Sequence, residues 1–90
     1  MEFEWDKNKA ASNLSKHGVS FDEARTIFDD IFYIDFYDPD HSDDEQRYII
    51  VGQSTQNHLL VVSYTERGNA IRLISARKAT RKERETYEER

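Results

Sequence analysis

Cysteine is absent from this chain, so disulfides, thiolate nucleophiles and cysteine–zinc sites are excluded together, and a reducing cytoplasm is the expected compartment. Proline occurs once, as Pro39 in the acidic turn DPDHSDDE (residues 38–45), which is the only long linker. No apolar run approaches the roughly 20 residues of a membrane-spanning helix, so no membrane association is expected. The opening residues, MEFEWDKNKA, carry neither the basic nor the apolar region of a secretory signal. Repeats and low-complexity tracts are missing as well. Ninety residues leave room for one domain, residues 1–90. A chain of this length buries only about 60–65% of its unfolded surface, so its stability is marginal and a partner subunit would help.

What is present is charge. Hydrophobic residues make up 37% and charged residues 34%, with a net charge of −5. That balance is unevenly spread. Between Asp22 and Glu45 there are ten acids and one base, and between Glu66 and Lys82 six bases and one acid. The acidic total argues against indiscriminate nucleic-acid binding, but a local cationic patch on an acidic body can still hold a phosphate.

Phe3 and Trp5 alternate with Glu2 and Glu4 and predict a short strand. Asp6 is a suitable N-cap for a helix over residues 7–17, and Gly18 stops it. Ser20 and Glu23 have capping-box spacing and open a second helix, with Phe21, Ala24, Ile27, Phe28 and Ile31 on its buried face. Strands are predicted at 31–37, 47–54, 58–65 and 70–76, the last three joined by the turns STQN and ERGN. Thr80 and Glu83 form a further capping box and open a final helix whose apolar content is little more than Ala79 and Tyr87. The order β-α-α-β-β-β-β-α is an α+β fold built on an antiparallel sheet.

If both turns close simple hairpins, Gln53 faces His58 and Thr65 faces Ala70. Arg47, Ile49, Val51, His58, Leu60, Val62, Tyr64 and Arg77 then share one face, with Arg47 and Arg77 toward opposite ends of it, Leu59, Val61, Ser63 and Arg72 the other, and His58 lies opposite Arg77. On the first helix Lys9, Asn13 and Lys16 form a polar stripe that His17 closes; a helix-end cation also has a purely structural explanation.

Two other assignments fail or weaken. Asp38, Asp40 and Ser42 alternate like a calcium loop, but Asp43 and Ile49 stand where glycine and glutamate are required. His41 among these acids is expected to bind a divalent ion weakly at best, in a solvated turn. The spacing of Phe3, Trp5, Phe21 and Phe28 points to core rather than to base stacking, whereas residues 31–37 are apolar on both faces and could pair with another chain.

FEWDKNKAASNLSKHGVSFDEA (residues 3–24) and IRLISARKATRKERETY (71–87), with Arg47 and Gly52 between them, resemble the BrnT family, small ribonuclease toxins of bacterial type II toxin–antitoxin pairs. The resemblance implies a RelE-like fold, RNA cleavage without metal or other cofactor, growth arrest, and neutralisation by a BrnA-like ribbon-helix-helix antitoxin through which operator DNA is bound. It also implies roles for Arg77, Arg47 and His17, which match the family's pattern.

The chemistry of such cleavage can be reasoned separately. Attack by the ribose 2′-hydroxyl needs a base, an acid for the leaving 5′-oxygen, and cations for the crowded phosphate. Arginine's planar fork suits phosphate oxygens, and imidazole suits proton transfer. Among the residues that could do this, the match to the family's pattern singles out Arg77, Arg47 and His17 as catalytic, with Lys9, Asn13, Lys16, Arg72, Lys78 and Arg81 expected to contact RNA. His58 is a weaker proton carrier beside a turn. The bases at the start of the last helix, unfavourable for its dipole, together with the family resemblance, predict an anion site there; the alternative is a solvated charged helix whose Glu83, Glu85, Glu88 and Glu89 balance the bases through i, i+4 pairs. The rival function is a catalytically weak antitoxin-binding module that acts as a co-repressor, which the acidic surplus makes credible.

Overall fold

The computed structural model describes residues 1–41 and 44–89. Its elements are β1 (Glu2–Glu4), α1 (Lys7–His17), α2 (Phe21–Ala24) continuing as a 3₁₀ helix through Arg25–Asp29, β2 (Ile34–Tyr37), a 3₁₀ turn at Pro39–His41, β3 (Arg47–Gln53), β4 (Leu59–Arg67), β5 (Ala70–Lys78) and α3 (Arg81–Glu89). Ser42 and Asp43, two of the positions compared with a calcium loop, lie outside the described residues.

Local chemistry explains most boundaries. The Asp6 carboxylate accepts the Asn8 and Lys9 N–H groups at 2.7 and 3.1 Å and starts α1, and Gly18, at φ 70°, ends it. Ser20 Oγ accepts the Glu23 N–H at 3.0 Å, but the Glu23 side chain turns inward instead of closing the expected box. After one α turn the chain tightens and stops at Asp29. Asp30 then accepts the Phe32 N–H on its side chain and the Tyr33 N–H on its carbonyl, making residues 31–33 a turn rather than the predicted first half of a strand. Ile31 consequently falls off the helical stripe and is 86% exposed, not buried as its spacing suggested.

The sheet has five strands in the order β1-β5-β4-β3-β2. It is mixed: β1 runs parallel to β5 and the other pairs are antiparallel, a correction to the all-antiparallel expectation. Both predicted hairpin registers are corrected too. Gln53 faces Leu59, and the Ser54 N–H donates the inner turn bond to the His58 carbonyl at 2.8 Å. Glu66 and Arg67 continue β4, so Arg67 faces Ala70 across the two-residue turn Gly68-Asn69, with Gly68 at φ 59°. The strands run on through Glu66 and Arg67 where a four-residue loop was expected.

One irregularity sets the faces. Ser63 faces Ser75 but Tyr64 faces Leu73, which leaves Ile74 as an extra residue in β5. This bulge reverses the alternation. Arg77 and Ser75 therefore share a face with Arg72, five residues from Arg77, as well as with Ser63, Ile49 and Arg47. Arg72 was expected on the opposite face.

Two apolar layers result. On one face Ile50, Leu60, Val62, Tyr64, Leu73 and Ala76 pack under Val19, Phe21, Ala24 and Ile27 from the helical segment. Side chains of this size contribute about 1.5–3 kcal/mol each when fully buried. On the other, Val51, Leu59 and Val61 meet Ala79 and Tyr87, the two apolar residues of the α3 region. The Tyr87 hydroxyl donates to Asp30 Oδ2 at 2.5 Å, and that same oxygen accepts the Gln53 N–H at 2.8 Å, so α3 is pinned to the sheet. Gly52 makes the opposite approach possible. A Cβ there would lie 3.1 Å from both the Cβ and the carbonyl oxygen of Ile27. Among the described residues no helix is long and apolar enough to cross a membrane.

Candidate functional site

The extended strands bring residues 30 positions apart in sequence to one place. Arg47 begins β3 and Arg77 lies near the end of β5. Both line a half-open cavity of about 470 Å³, together with the hydroxyls of Ser63 and Ser75 and the side chains of Asp38 and His41. Ile49 and the bulged Ile74 complete its lining.

Each guanidinium has a carboxylate from its own chain. Arg77 donates Nη1 and Nη2 to Glu83 Oε1 and Oε2, both at 2.8 Å, in a bidentate fork. Glu83 Oε1 also accepts the Thr80 N–H at 2.8 Å, and Thr80 Oγ1 accepts the Glu83 N–H at 3.2 Å, so the predicted capping box is formed. The hydrogen bonds from Arg77, followed in importance by those at Thr80, outweigh burial and hold the Glu83 carboxyl down to about 2. The same pairing raises Arg77 above its ordinary value. At the start of α3, where an anion site was expected, the Glu83 carboxylate itself pairs with Arg77, and Arg81 lies beside Glu85. Arg47 Nε lies 3.7 Å from Glu45, which also approaches Arg67 at 3.5 Å. Glu83 grips the two terminal nitrogens of Arg77 and so fixes the orientation of that guanidinium.

The α1 residues gather in an adjoining cavity of about 240 Å³, lined by Lys9, Asn13, Lys16 and His17. Ile74 and Ser75 border this cavity and the arginine-lined one alike, so the two meet at the β5 bulge. Asn13 departs from its expected part. Its amide is 7% exposed and acts as a short strand partner: Nδ2 donates to the carbonyls of Ala76 (2.8 Å) and Val19 (3.0 Å), and Oδ1 accepts the Ala76 N–H (3.0 Å). It closes the open edge of β5 instead of facing a ligand.

The remaining cations scatter. Arg72 donates to Glu4 at 2.7 Å. Lys78 alternates away from Arg77 and lies toward Glu23, whose charge it influences. The Arg81 side chain is 93% exposed, with Nε 3.7 Å from Glu85. His58 is not opposite Arg77, which faces Val61. Its Nδ1 lies 2.7 Å from Glu23 Oε2, which also accepts Ser54 Oγ at 2.6 Å. Burial pushes the Glu23 carboxyl upward, but the bonds from Ser54 and His58 and the charges of His58 and Lys78 prevail and lower it. Ser54 Oγ in turn accepts the N–H groups of Gln56 and His58, so this cluster anchors the first hairpin turn to α2.

The pair missed from sequence is Asp38–His41. His41 Nδ1 and Asp38 Oδ2 are 2.9 Å apart across a single 3₁₀ turn begun by Pro39. The signal was present in DPDH: a capping aspartate, a proline at the first turn position and a histidine three residues on.

Two guanidinium groups, two hydroxyls and a histidine–carboxylate pair around one open cavity on a small α+β sheet can hold an anion and move a proton. Comparison with known proteins narrows that class. The family model described as "Ribonuclease toxin, BrnT, of type II toxin-antitoxin system" matches residues 5–83, and the chain belongs to this family. Among solved structures, the Brucella abortus ribonuclease toxin BrnT superposes with a TM-score of 0.66 at 24% identity, over 90% of this chain and 99% of that one, a likeness of fold. No curated protein matches the chain. Membership implies an antitoxin partner and an RNA target.

Proposed function

We propose that this protein cleaves RNA without a metal ion, by 2′-hydroxyl attack, in the cavity shared by Arg47 and Arg77. The observation that carries the proposal is that these two arginines, from separate strands, line one cavity. In this reading Arg77, oriented by Glu83, and Arg47 grip the scissile phosphate and stabilise the charge that builds on it, an effect commonly worth about 3 kcal/mol of barrier. His17, Lys9 and Lys16 border the adjoining cavity, where the neighbouring backbone would pass. Arg72, Lys78 and Arg81 lie outside the two cavities and contribute long-range attraction at most. A BrnA-like antitoxin, itself bound to operator DNA, would silence the activity in the cytoplasm.

Purified protein incubated with RNA in EDTA tests the proposal. Fragments ending in 2′,3′-cyclic phosphate are expected, and Arg77→Ala and Arg47→Ala should each slow cleavage by about 10²-fold. Cleavage that needs a divalent ion, or that is unchanged in both variants, overturns it. One observation favours the rival reading of an antitoxin-binding co-repressor: Arg77 is already neutralised by Glu83 in the free chain. Expression without growth arrest, combined with tight antitoxin binding, would establish that alternative.

A further inference from the structure

We infer that His41 is the general base of this cavity and that Asp38 is its positioning residue. The inference rests on the proposed cleavage of RNA between Arg47 and Arg77 and names the group that starts it.

His41 lines the arginine cavity, whereas His17 lines its neighbour and His58 is bound to Glu23. A carboxylate can only accept, so the 2.9 Å contact with Asp38 places the proton on His41 Nδ1 and leaves the lone pair on Nε2. That tautomer is the one a base needs, and a carboxylate behind the ring also stabilises the imidazolium that forms. Asp38 is well held for this task. Its side chain is 13% exposed, its Oδ1 accepts the Asp40 N–H at 3.2 Å, and its backbone N–H donates to the Arg47 carbonyl at 2.9 Å. The last bond ties the dyad to the strand end that carries the phosphate-binding arginine. The imidazole itself is 67% exposed, as a group that must meet a polymeric substrate has to be.

The charged groups around the ring line two cavities. Asp38, Arg47 and Arg77 share its arginine cavity, and Asp40, Asp44, Glu45 and Arg47 line a second cavity of about 440 Å³ that His41 also borders. RNA phosphate is repelled by the acids of the second cavity and attracted by the arginines of the first.

In the step itself, His41 Nε2 takes the ribose 2′-hydroxyl proton while that oxygen bonds to phosphorus. The P–O5′ bond breaks, its electron pair leaves with the 5′-oxygen, and that oxygen takes a proton from water. The products are a 2′,3′-cyclic phosphate and a 5′-hydroxyl, and His41 returns its proton to solvent.

The test uses the full chain and a short fluorescent RNA, with thermal unfolding of every variant as the check on folding. His41→Gly should lower kcat/KM at least 10²-fold while RNA affinity stays within about threefold, and added imidazole should restore part of the rate. Asp38→Asn should lower kcat about tenfold with little change in KM. The pH–rate profile of His41→Gly should differ in shape from that of wild type, whereas Arg47→Ala should keep the wild-type shape. Wild-type rates in His41→Gly, or a loss that imidazole does not repair, overturn the assignment. If Arg77→Ala and Arg47→Ala are nevertheless impaired, the proposed function survives that failure. If wild-type protein does not cleave, both readings fall.

Discussion

Replacing Glu83 with Gln isolates a single interaction. Gln keeps an oxygen for the Thr80 N–H, so the cap of α3 survives, while the charge that pairs with Arg77 is lost. The carboxyl falls from 4.5 to about 2 on folding, which sets a ceiling of about 3.4 kcal/mol on its contribution. The Arg77 and Glu83 side chains are 41% and 32% exposed, so solvent screening reduces the expected loss to about 1–2 kcal/mol. Against a total stability of roughly 5–13 kcal/mol for a domain of this size, and a urea dependence of about 1 kcal/mol per molar, the unfolding midpoint should drop by about 1–2 M.

The sign of the pH dependence makes the test sharper. A depressed folded-state value means that the stabilisation is fully present above the unfolded value, near 4.5, and is lost as pH falls toward the folded value, about 2. Urea midpoints of wild type and Glu83→Gln should therefore differ by a constant amount from pH 8 to about 5.5. By pH 3 less than half of that difference should remain. Glu85→Gln is the control, because its partner Arg81 is 93% exposed at 3.7 Å; it should change stability by less than about 0.5 kcal/mol at any pH. A penalty for Glu83→Gln that is the same at pH 3 as at pH 7, or no penalty at pH 7, would refute the charge-pairing explanation.

Two further outcomes probe the frame around the cavity. Asn13→Ala leaves the Ala76 N–H and carbonyl and the Val19 carbonyl without their side-chain partner, and should cost about 2–4 kcal/mol in chemical denaturation. Gly52→Ala drives a methyl against Ile27 and should cost about 1–3 kcal/mol, seen as a fall in Tm of roughly 5–15 °C.

The sequence was legible where one residue's chemistry decides the outcome. Asp6, Gly18 and the Thr80–Glu83 pair each mark a helix end through their own hydrogen bonds or backbone freedom, and all are found in those roles. Ala79 and Tyr87, singled out as the slender apolar content near α3, are the residues that dock it. Legibility ended where pairing between distant segments decides. The hairpin loops were read as four residues, yet nothing local tells that Glu66 and Arg67 continue a strand. The parallel pairing of β1 with β5 joins residues 2–4 to 70–72, and no periodicity in either segment encodes it. Ile74 looks like any alternating strand residue, but its bulge decides that Arg72 shares a face with Arg77.

The candidate site shows the same division with more at stake. That Arg47 and Arg77 share a face was readable, but by a route with two errors that cancel: the slipped 53–58 register reversed β4, and the unforeseen bulge at Ile74 put the upper half of β5 back in step with β3. What the reading could not supply was the company those arginines keep. The Arg77–Glu83 fork depends on how α3 folds back over the sheet, and the Asp38–His41 pair enters the cavity because a 3₁₀ turn carries it back to the start of β3. Both are short in sequence yet placed by tertiary structure, and both alter the chemistry inferred from the arginines. A bare cationic cluster would bind phosphate indiscriminately. In the proposed function, one arginine oriented by a carboxylate, a second at a strand end and a histidine with a defined tautomer would favour the single phosphate that lies within reach of all three, and a protein with a net charge of −5 would then act on a polyanion without being basic as a whole.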